Sequence, residues 1–427
     1  MGQLAKQSAL YFNLIFVCSS FTIIFPFYPG VSESKGIELW LVGLIFSLNP
    51  IIKLIATPFL GRIMFRIGRK LVVVASIILI GSSLLVLGPI EYCDKATVIF
   101  LSVLSRLLSG LASACAFMSI TSIFVTDYPD KVVTMLGRME ASIGIGYTIG
   151  PLIGMSMYAI KVIGTLVLFG LIIIIFAFVA WKMLGEFRPL KIDNSKINSL
   201  PILFKPRIFL TMLMGTTYLF SYGLLGTLLE THLRNLGLDS VYISLCFGLQ
   251  SAFYLCTSIV AGIILKNANE RVFLIIGLGL LTIGYSMLGP WSEIYPNKLW
   301  IVIFSLPIIS IGQNFVCSKN YIVFNIPYMQ KSIVIDYGYA RDDIIDDHIC
   351  SYAVTFNAFG EIIGPIYAGF VSDFLGIEVC CAIASGATGI YFLAYIVGSG
   401  ILYDFVKYKR REVATEDFED NNSSDKQ

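Results

Sequence analysis

Twelve runs in this chain, near residues 8–29, 38–60, 71–90, 96–126, 133–160, 163–185, 208–231, 240–265, 272–290, 299–326, 349–372 and 379–404, are each long and apolar enough to span a bilayer. Crossing roughly 30 Å of hydrocarbon at about 1.5 Å per residue takes about 20 predominantly apolar residues in a helix. The runs therefore predict an all-α membrane protein of twelve transmembrane helices. The least distinct divisions fall near Lys161 and Gly376, where short connectors join long apolar segments. Composition makes the same point for the whole chain: of 427 residues, 56% are hydrophobic and 14% charged, whereas an ordinary soluble chain carries about a quarter charged residues. The surplus apolar surface has to face lipid. A net charge of +2 singles out neither nucleic acid nor acidic partners, and no nucleic-acid partner is expected.

Sidedness follows from the cations, because Lys and Arg resist translocation and stay cytoplasmic. Of 30 in the chain, 21 lie in or beside the N-terminus, alternate connectors and the tail. Five (Lys35, Lys95, Lys161, Arg234 and Lys298) lie in the other connectors. An even helix count puts both termini on one face, and this split predicts the cytoplasmic one. Only Lys6 precedes the first run and no small-residue cleavage site follows it, so the run reads as a retained helix and not a signal peptide.

The longest break between runs, roughly 186–207, is polar and proline-bearing. It divides the chain into an N-terminal six-helix bundle (1–185), a cytoplasmic linker (186–207), a C-terminal six-helix bundle (208–404) and a polar tail (405–427) expected to be disordered. The halves echo each other. Gly146-Tyr-Thr-Ile-Gly150-Pro151-Leu-Ile-Gly154 and Gly360-Glu-Ile-Ile-Gly364-Pro365 share G-x-x-x-G-P, 214 residues apart, in the fifth helix of each half. Parallel six-helix repeats point to a transporter with a central site between halves. These glycines either let helices pack closely or bend helices that gate a path. The nine cysteines, most within the runs, suggest no disulfide framework. Asp342, Asp343, Asp346, Asp347 and His348 resemble a hard-cation site, but acids beside a helix start already favour its N-terminus, so no metal is expected. With two histidines and neither a nucleophile–base constellation nor a nucleotide loop, the chain does not read as an enzyme, and no cofactor is implied.

Between the second and third runs the sequence is Gly61-Arg62-Ile63-Met64-Phe65-Arg66-Ile67-Gly68-Arg69-Lys70. It resembles the G-x-x-x-D-R-x-G-R-K signature of the major facilitator superfamily, with Phe65 at the acid. Arg106-Leu-Leu-Ser-Gly110 resembles that superfamily's R-x-x-Q-G in helix four, and Gly146 to Gly154 its antiporter signature in helix five. The likeness covers nearly the whole chain. Pro26-Phe-Tyr-Pro-Gly30, Thr57 to Gly68 and Gly364 to Glu378 resemble the vesicular amine branch, its polyamine members above all. That branch places an acid before a proline in helix seven, where this chain has Leu225-Gly226, with Glu230 further on. No acid stands at Val17 or Ser19 in helix one, which points away from a monoamine.

The resemblance implies proton-coupled antiport of an organic cation such as a polyamine, by alternating access, in a vesicular or vacuolar membrane. Two rivals stay open: a facilitator or symporter for a neutral or anionic solute, and a non-transporting receptor or scaffold. The chain is expected to be monomeric, with solute, protons and lipid as its partners. A charge at mid-bilayer costs at least about 2.5–3.5 kcal/mol on insertion scales, so it faces a cavity or a partner. Arg106 and Glu361 are such charges. Lys53 and Lys319 either snorkel or line the cavity, and an anionic solute would take Arg106, Lys53 and Lys319 as ligands. Glu361 stands where the repeat has Tyr147, at a depth that lets it meet Lys53 if helices two and eleven are neighbours, as the resemblance implies. It is then a coupling carboxylate, a gate with Lys53, or a cavity wall. Asn13, Tyr218, Tyr222, Asn314 and Tyr321 are further cavity candidates, with aromatic faces suited to an organic cation. Arg66 or Arg69 meeting a helix end or carboxylate would make the 61–70 stretch a conformational switch. Glu230 and His232 read as an interfacial rim.

Overall fold

The computed structural model describes residues 3–128, 131–155, 157–185, 187, 206–264, 270–289, 298–317 and 343–398. These form twelve long helices: α1 (Gln3–Thr22), α2 (Leu39–Ile67), α3 (Arg69–Leu87), α4 (Lys95–Asp127), α5 (Val132–Met155), α6 (Met157–Met183), α7 (Pro206–Asn235), α8 (Ser240–Ile264), α9 (Glu270–Leu288), α10 (Leu299–Cys317), α11 (Asp343–Leu375) and α12 (Ile377–Gly398). A short helix, Tyr28–Ser34, follows α1, and a 3-10 turn, Gly88–Tyr92, follows α3. Among the described residues, nine segments meet the length and hydropathy of a membrane span outright.

Several boundaries differ from those expected. The cationic stretch at 61–70 is not a loop. α2 runs through it to Ile67, Gly68 alone turns the chain with φ 86°, and α3 begins at Arg69. The left-handed φ is where glycine is tolerated without strain, so one residue does the work of a connector. At 29 residues, α2 is about 44 Å long at 1.5 Å per residue and outreaches the hydrocarbon at one end. The division near Lys161 is a break inside α6, where Lys161 takes φ 63° and ψ 164°. α11 starts at Asp343, so Asp343, Asp346 and Asp347 belong to its first turns and not to a preceding loop. The 186–207 linker except Phe187 and the first residues of α7, the 405–427 tail, Lys319, Tyr321 and Asp342 lie outside the described residues.

Packing repeats between the halves. In the first, α1 lies against α5, α2 against α4, and α3 against both α4 and α6. In the second, α7 lies against α11, α8 against α10, and α9 against both α10 and α12. Across the halves α2 packs on α11 and α5 on α8, again equivalent contacts. Apolar side chains turned outward, among them Phe178 on α6 and Ile390 and Val397 on α12, each 72% exposed, account for the surplus hydrophobicity as lipid-facing surface.

The two glycine motifs serve one packing role. A Cβ at Gly150 would stand 2.6 Å from the Ser19 carbonyl oxygen, and one at Gly154 2.5 Å from that of Ile23, both on α1 or just beyond it. Gly146 likewise lies on Ile15 and Cys18. In the second half Gly360 abuts the Thr216 carbonyl and Gly364 that of Phe220, on α7. Each motif thus seats the fifth helix of its half on the first, where small residues let backbones touch. Pro151 and Pro365 lie inside α5 and α11. Gly110 does the same for α4 on α2, 2.6 Å from the Asn49 carbonyl oxygen at an added Cβ.

Candidate functional site

The α2–α11 seam carries an ion pair. Lys53, between Pro50 and Pro58 of α2, donates from Nζ to Oε2 of Glu361, one residue past Gly360 of α11. The side chains are 19% and 6% exposed, so the pair is largely withdrawn from water. Removing one member of such a pair costs about 3–5 kcal/mol, because the other is left buried and uncompensated. Lys53 Nζ also lies 5.4 Å from the Phe117 ring centroid on α4. Further along the seam, Ser47 Oγ donates to the Ile362 carbonyl at 2.9 Å.

A second cluster lies where α1 and α5 meet α7 and α8. Tyr147 and Tyr222 rings are 4.8 Å apart, Phe25 and Tyr222 6.0 Å, and Tyr218 stacks on Tyr254 at 6.3 Å. Tyr222 Oη donates to the Tyr147 carbonyl at 3.0 Å, across the halves, and the Tyr218 and Tyr254 hydroxyls are 3.1 Å apart. Between these rings is a pocket of about 20 Å³, bordered by Phe25, Tyr222, Gln250, Tyr254 and Gln313. That is room for one water, so the cluster is collapsed in this conformation. Gln313 donates to Ser221 Oγ at 2.8 Å and Asn314 to the Tyr254 carbonyl at 3.0 Å. The amide oxygens of both stay buried without a hydrogen-bond partner. Aromatic faces suit a cation, and no lysine or arginine borders the pocket among the described residues.

Arg106 is 2% exposed on α4. Tyr28 lies beside it together with Ser32 and Ser102, and Nη1 of Arg106 and the hydroxyls of these three residues have no partner of normal geometry. Among the described residues no carboxylate pairs with Arg106. Arg69, in contrast, meets one: it is buried, donates to Asp127 Oδ1 at 3.0 Å and also bonds the Ser122 carbonyl and Thr126 Oγ1. Lys6 joins the same carboxylate at 3.2 Å. Arg69 is therefore tied to the last turn of α4. Arg66 is exposed, and Lys70 lies over the Trp181 ring at 4.5 Å. The side chains of Arg62 and Phe65 are outside those described.

The structure thus joins Lys53 to Glu361 and sets Tyr222 and Tyr218 in the aromatic cluster. Asn314 lies behind Tyr254. Asn13 goes elsewhere: fully buried in the first half, it donates to Ser76 Oγ on α3 at 2.8 Å. Glu230 and His232 are no interfacial rim, being 0% and 4% exposed. Tyr147, Tyr254, Phe25, Gln250, Gln313 and Asp127 were not singled out from sequence. Tyr147 was visible there only as the repeat counterpart of Glu361.

Two repeated bundles of membrane-length helices meeting along seams that carry an ion pair and an aromatic pocket define a polytopic small-solute transporter. Residues 10–333 match the model of the Major Facilitator Superfamily, and the chain belongs to that superfamily. It is a membrane transporter, not an enzyme. The chain is 24% identical to the MFS-type transporter SLC18B1 of Rattus norvegicus over 90% of its length and 83% of the relative's. Identity to the Homo sapiens protein of that name is 22%, covering 92% and 84%. Among solved structures it is similar to a bacterial homologue of the human lysosomal transporter Spinster, with a TM-score of 0.65 at 13% identity, covering 93% of each chain. The human organic anion transporter MFSD10 gives a TM-score of 0.59 at 16% identity, with 92% and 100% covered. At these identities the structural likenesses describe the fold alone.

Proposed function

We propose that the chain exchanges protons for an organic cation, a polyamine being the type, across a vesicular or vacuolar membrane by alternating access, with both termini in the cytosol. The observation that carries this reading is the chemistry of the central pocket: the aromatic faces of Phe25, Tyr222 and Tyr254, with no lysine or arginine at its border among the described residues. The similarity to SLC18B1 over 90% of the chain supports the branch. Glu361 supplies the titratable charge. While ionised it holds Lys53 and clasps α2 to α11; a proton on Glu361, or an ammonium competing for it, removes that attraction and lets the seam part. One carboxylate then serves proton and cation in alternation, which is the requirement for exchange.

Arg106 favours a second reading. Its buried Nη1 without a partner is a natural ligand for an anion, as a facilitator of anionic solutes would need. Reconstituted vesicles with an imposed pH gradient, offered labelled amines and anions, separate the two. Accumulation of amine that depends on an inside-acid gradient is the expected result. Gradient-independent anion flux would sink the antiport reading, and no flux of any solute would favour a scaffold.

A further inference from the structure

At the end of the molecule away from the start of α1, the halves are drawn together. Gly369 of α11 faces the Leu39 carbonyl of α2 at 2.7 Å from an added Cβ, and Gly226 of α7 lies on the Phe25 ring. Arg234 of α7, paired with Glu230, rests on Gly30 of the short helix. Where this closure meets the central pocket, one bond across the halves uses an atom that its own helix has given up.

An α-helical N–H is bonded to the carbonyl four residues earlier, and proline has no N–H to give. Pro151 inside α5 therefore leaves the Tyr147 carbonyl without its helical donor. A backbone carbonyl in a membrane interior has to be satisfied by something else. The Tyr222 hydroxyl, from α7 in the other half, donates to it at 3.0 Å. Thr22 Oγ1 lies 3.5 Å away, with the Cys18 and Ser19 carbonyls closer to it. Helix carbonyls point toward the C-terminal end, so that of Tyr147 is directed at Pro151. Pro151, Thr148 and Tyr222 all border the central pocket, together with Phe25 and Tyr254. The second half repeats the device. Pro365 inside α11 deprives the Glu361 carbonyl in the same way, and Ser47 of α2 reaches the adjoining Ile362 carbonyl from the opposite half at 2.9 Å.

A carbonyl released from its helix is an acceptor for a cation, as where broken transporter helices coordinate ions through main-chain oxygens. We propose that the Tyr147 main-chain carbonyl is the pocket's hydrogen-bond acceptor for the substrate ammonium, and that the Tyr222 hydroxyl holds that place while the pocket is collapsed. The proposal rests on the organic-cation reading of the transporter. It adds a selectivity that the rings lack, because aromatic faces also take quaternary ammonium, whereas a carbonyl needs an N–H. The substrate class narrows to amines that carry N–H donors. Admitting one exchanges a bond between the halves for a bond to the cation.

Binding of labelled putrescine to the purified full-length protein, in competition with its bis(trimethylammonium) analogue, tests this; the analogue keeps both charges and has no N–H. The wild type is expected to prefer putrescine. Tyr222→Phe keeps the ring and vacates the acceptor, so putrescine should bind at least about threefold tighter and its preference over the analogue should widen. Pro151→Ala returns an N–H to the Tyr147 carbonyl, so putrescine binding should weaken by about tenfold and the preference shrink. Opposite signs are the diagnostic result, since damaged packing alone would weaken binding in both variants. Weaker binding or an unchanged preference in Tyr222→Phe overturns the assignment, and that conservative variant decides the matter if Pro151→Ala does not fold. A folded Pro151→Ala protein with wild-type or tighter binding overturns it as well. Preference of the wild type for the analogue overturns the assignment and leaves an organic cation in the pocket. If the wild type binds neither compound, the organic-cation reading falls and the assignment with it.

Discussion

Arg106 and Glu361 are both buried charges on membrane helices, and their surroundings separate their roles. Glu361 has a fixed partner in Lys53, whereas Arg106 has hydroxyl neighbours and an unpartnered Nη1. A guanidinium does not deprotonate in proteins, so Arg106 acts as a permanent charge in the first bundle. Arg106→Ala is expected to abolish gradient-driven uptake with surface abundance largely kept, and Arg106→Lys to rescue poorly for want of the planar fork. Uptake in vesicles normalised to protein checks this, and full activity of the Ala variant would leave Arg106 a passenger. For Glu361, Gln keeps shape and hydrogen bonding without a titrating proton. Loss of gradient-driven uptake with retained exchange of bound substrate marks coupling. Partial recovery in the Lys53→Glu with Glu361→Lys double variant marks a gate. Unaltered pH dependence and rate in Glu361→Gln would exclude both.

Helix contacts depend on glycines whose α-hydrogens face a neighbouring backbone. An alanine at Gly150 or Gly364 would place Cβ inside van der Waals contact with the Ser19 or Phe220 carbonyl oxygen, at 2.6 and 2.5 Å respectively. Overpacking of this kind costs about 1–3 kcal/mol. Each substitution should lower the thermal unfolding midpoint in detergent and slow uptake, while Gly386→Ala, with nothing within 4 Å, should leave both unchanged. Equal effects at all three positions would mean that α1–α5 and α7–α11 contact is not what the motifs secure. At the head of α4, Asp94 accepts from the Ala96 N–H at 3.2 Å and Thr97 Oγ1 at 2.5 Å. The Thr97 bond holds its carboxyl below the usual carboxylate range. Its contribution is complete above the unfolded pKa and is lost as pH falls through the lower folded value, so the cap persists in mildly acidic media. Asp94→Ala should lower the unfolding midpoint at pH 7 and at pH 5 alike; a deficit confined to pH 7 would contradict the sign.

For the whole molecule, the contacts describe one conformation of a two-bundle machine, drawn together at the end away from α1's start, with the central pocket collapsed. Orientation in the membrane rests on the cation asymmetry of 21 against 5. Cysteines introduced at Ser195 and Ser424 should react with an impermeant thiol reagent only from the cytosolic side. Labelling of either from the opposite face would reverse the orientation or break the helix count.

Helix number and the two-bundle plan were legible in the sequence because, in lipid, each backbone group must be satisfied within its own segment; run length alone then specifies a helix. The repeated G-x-x-x-G-P was legible for a related reason, since close backbone approach admits few residues. Which side chains meet was a different matter. Lys53 and Glu361 are 308 positions apart, and Arg69 finds Asp127 58 positions away. A helix apolar on every face carries little periodicity to say which side turns inward, and the rotation of each about its axis is decided by its neighbours. Gly68 as a one-residue joint, Asn13 buried within a bundle and Glu230 turned to Arg234 all came from that mutual packing, which exists only once the helices have docked.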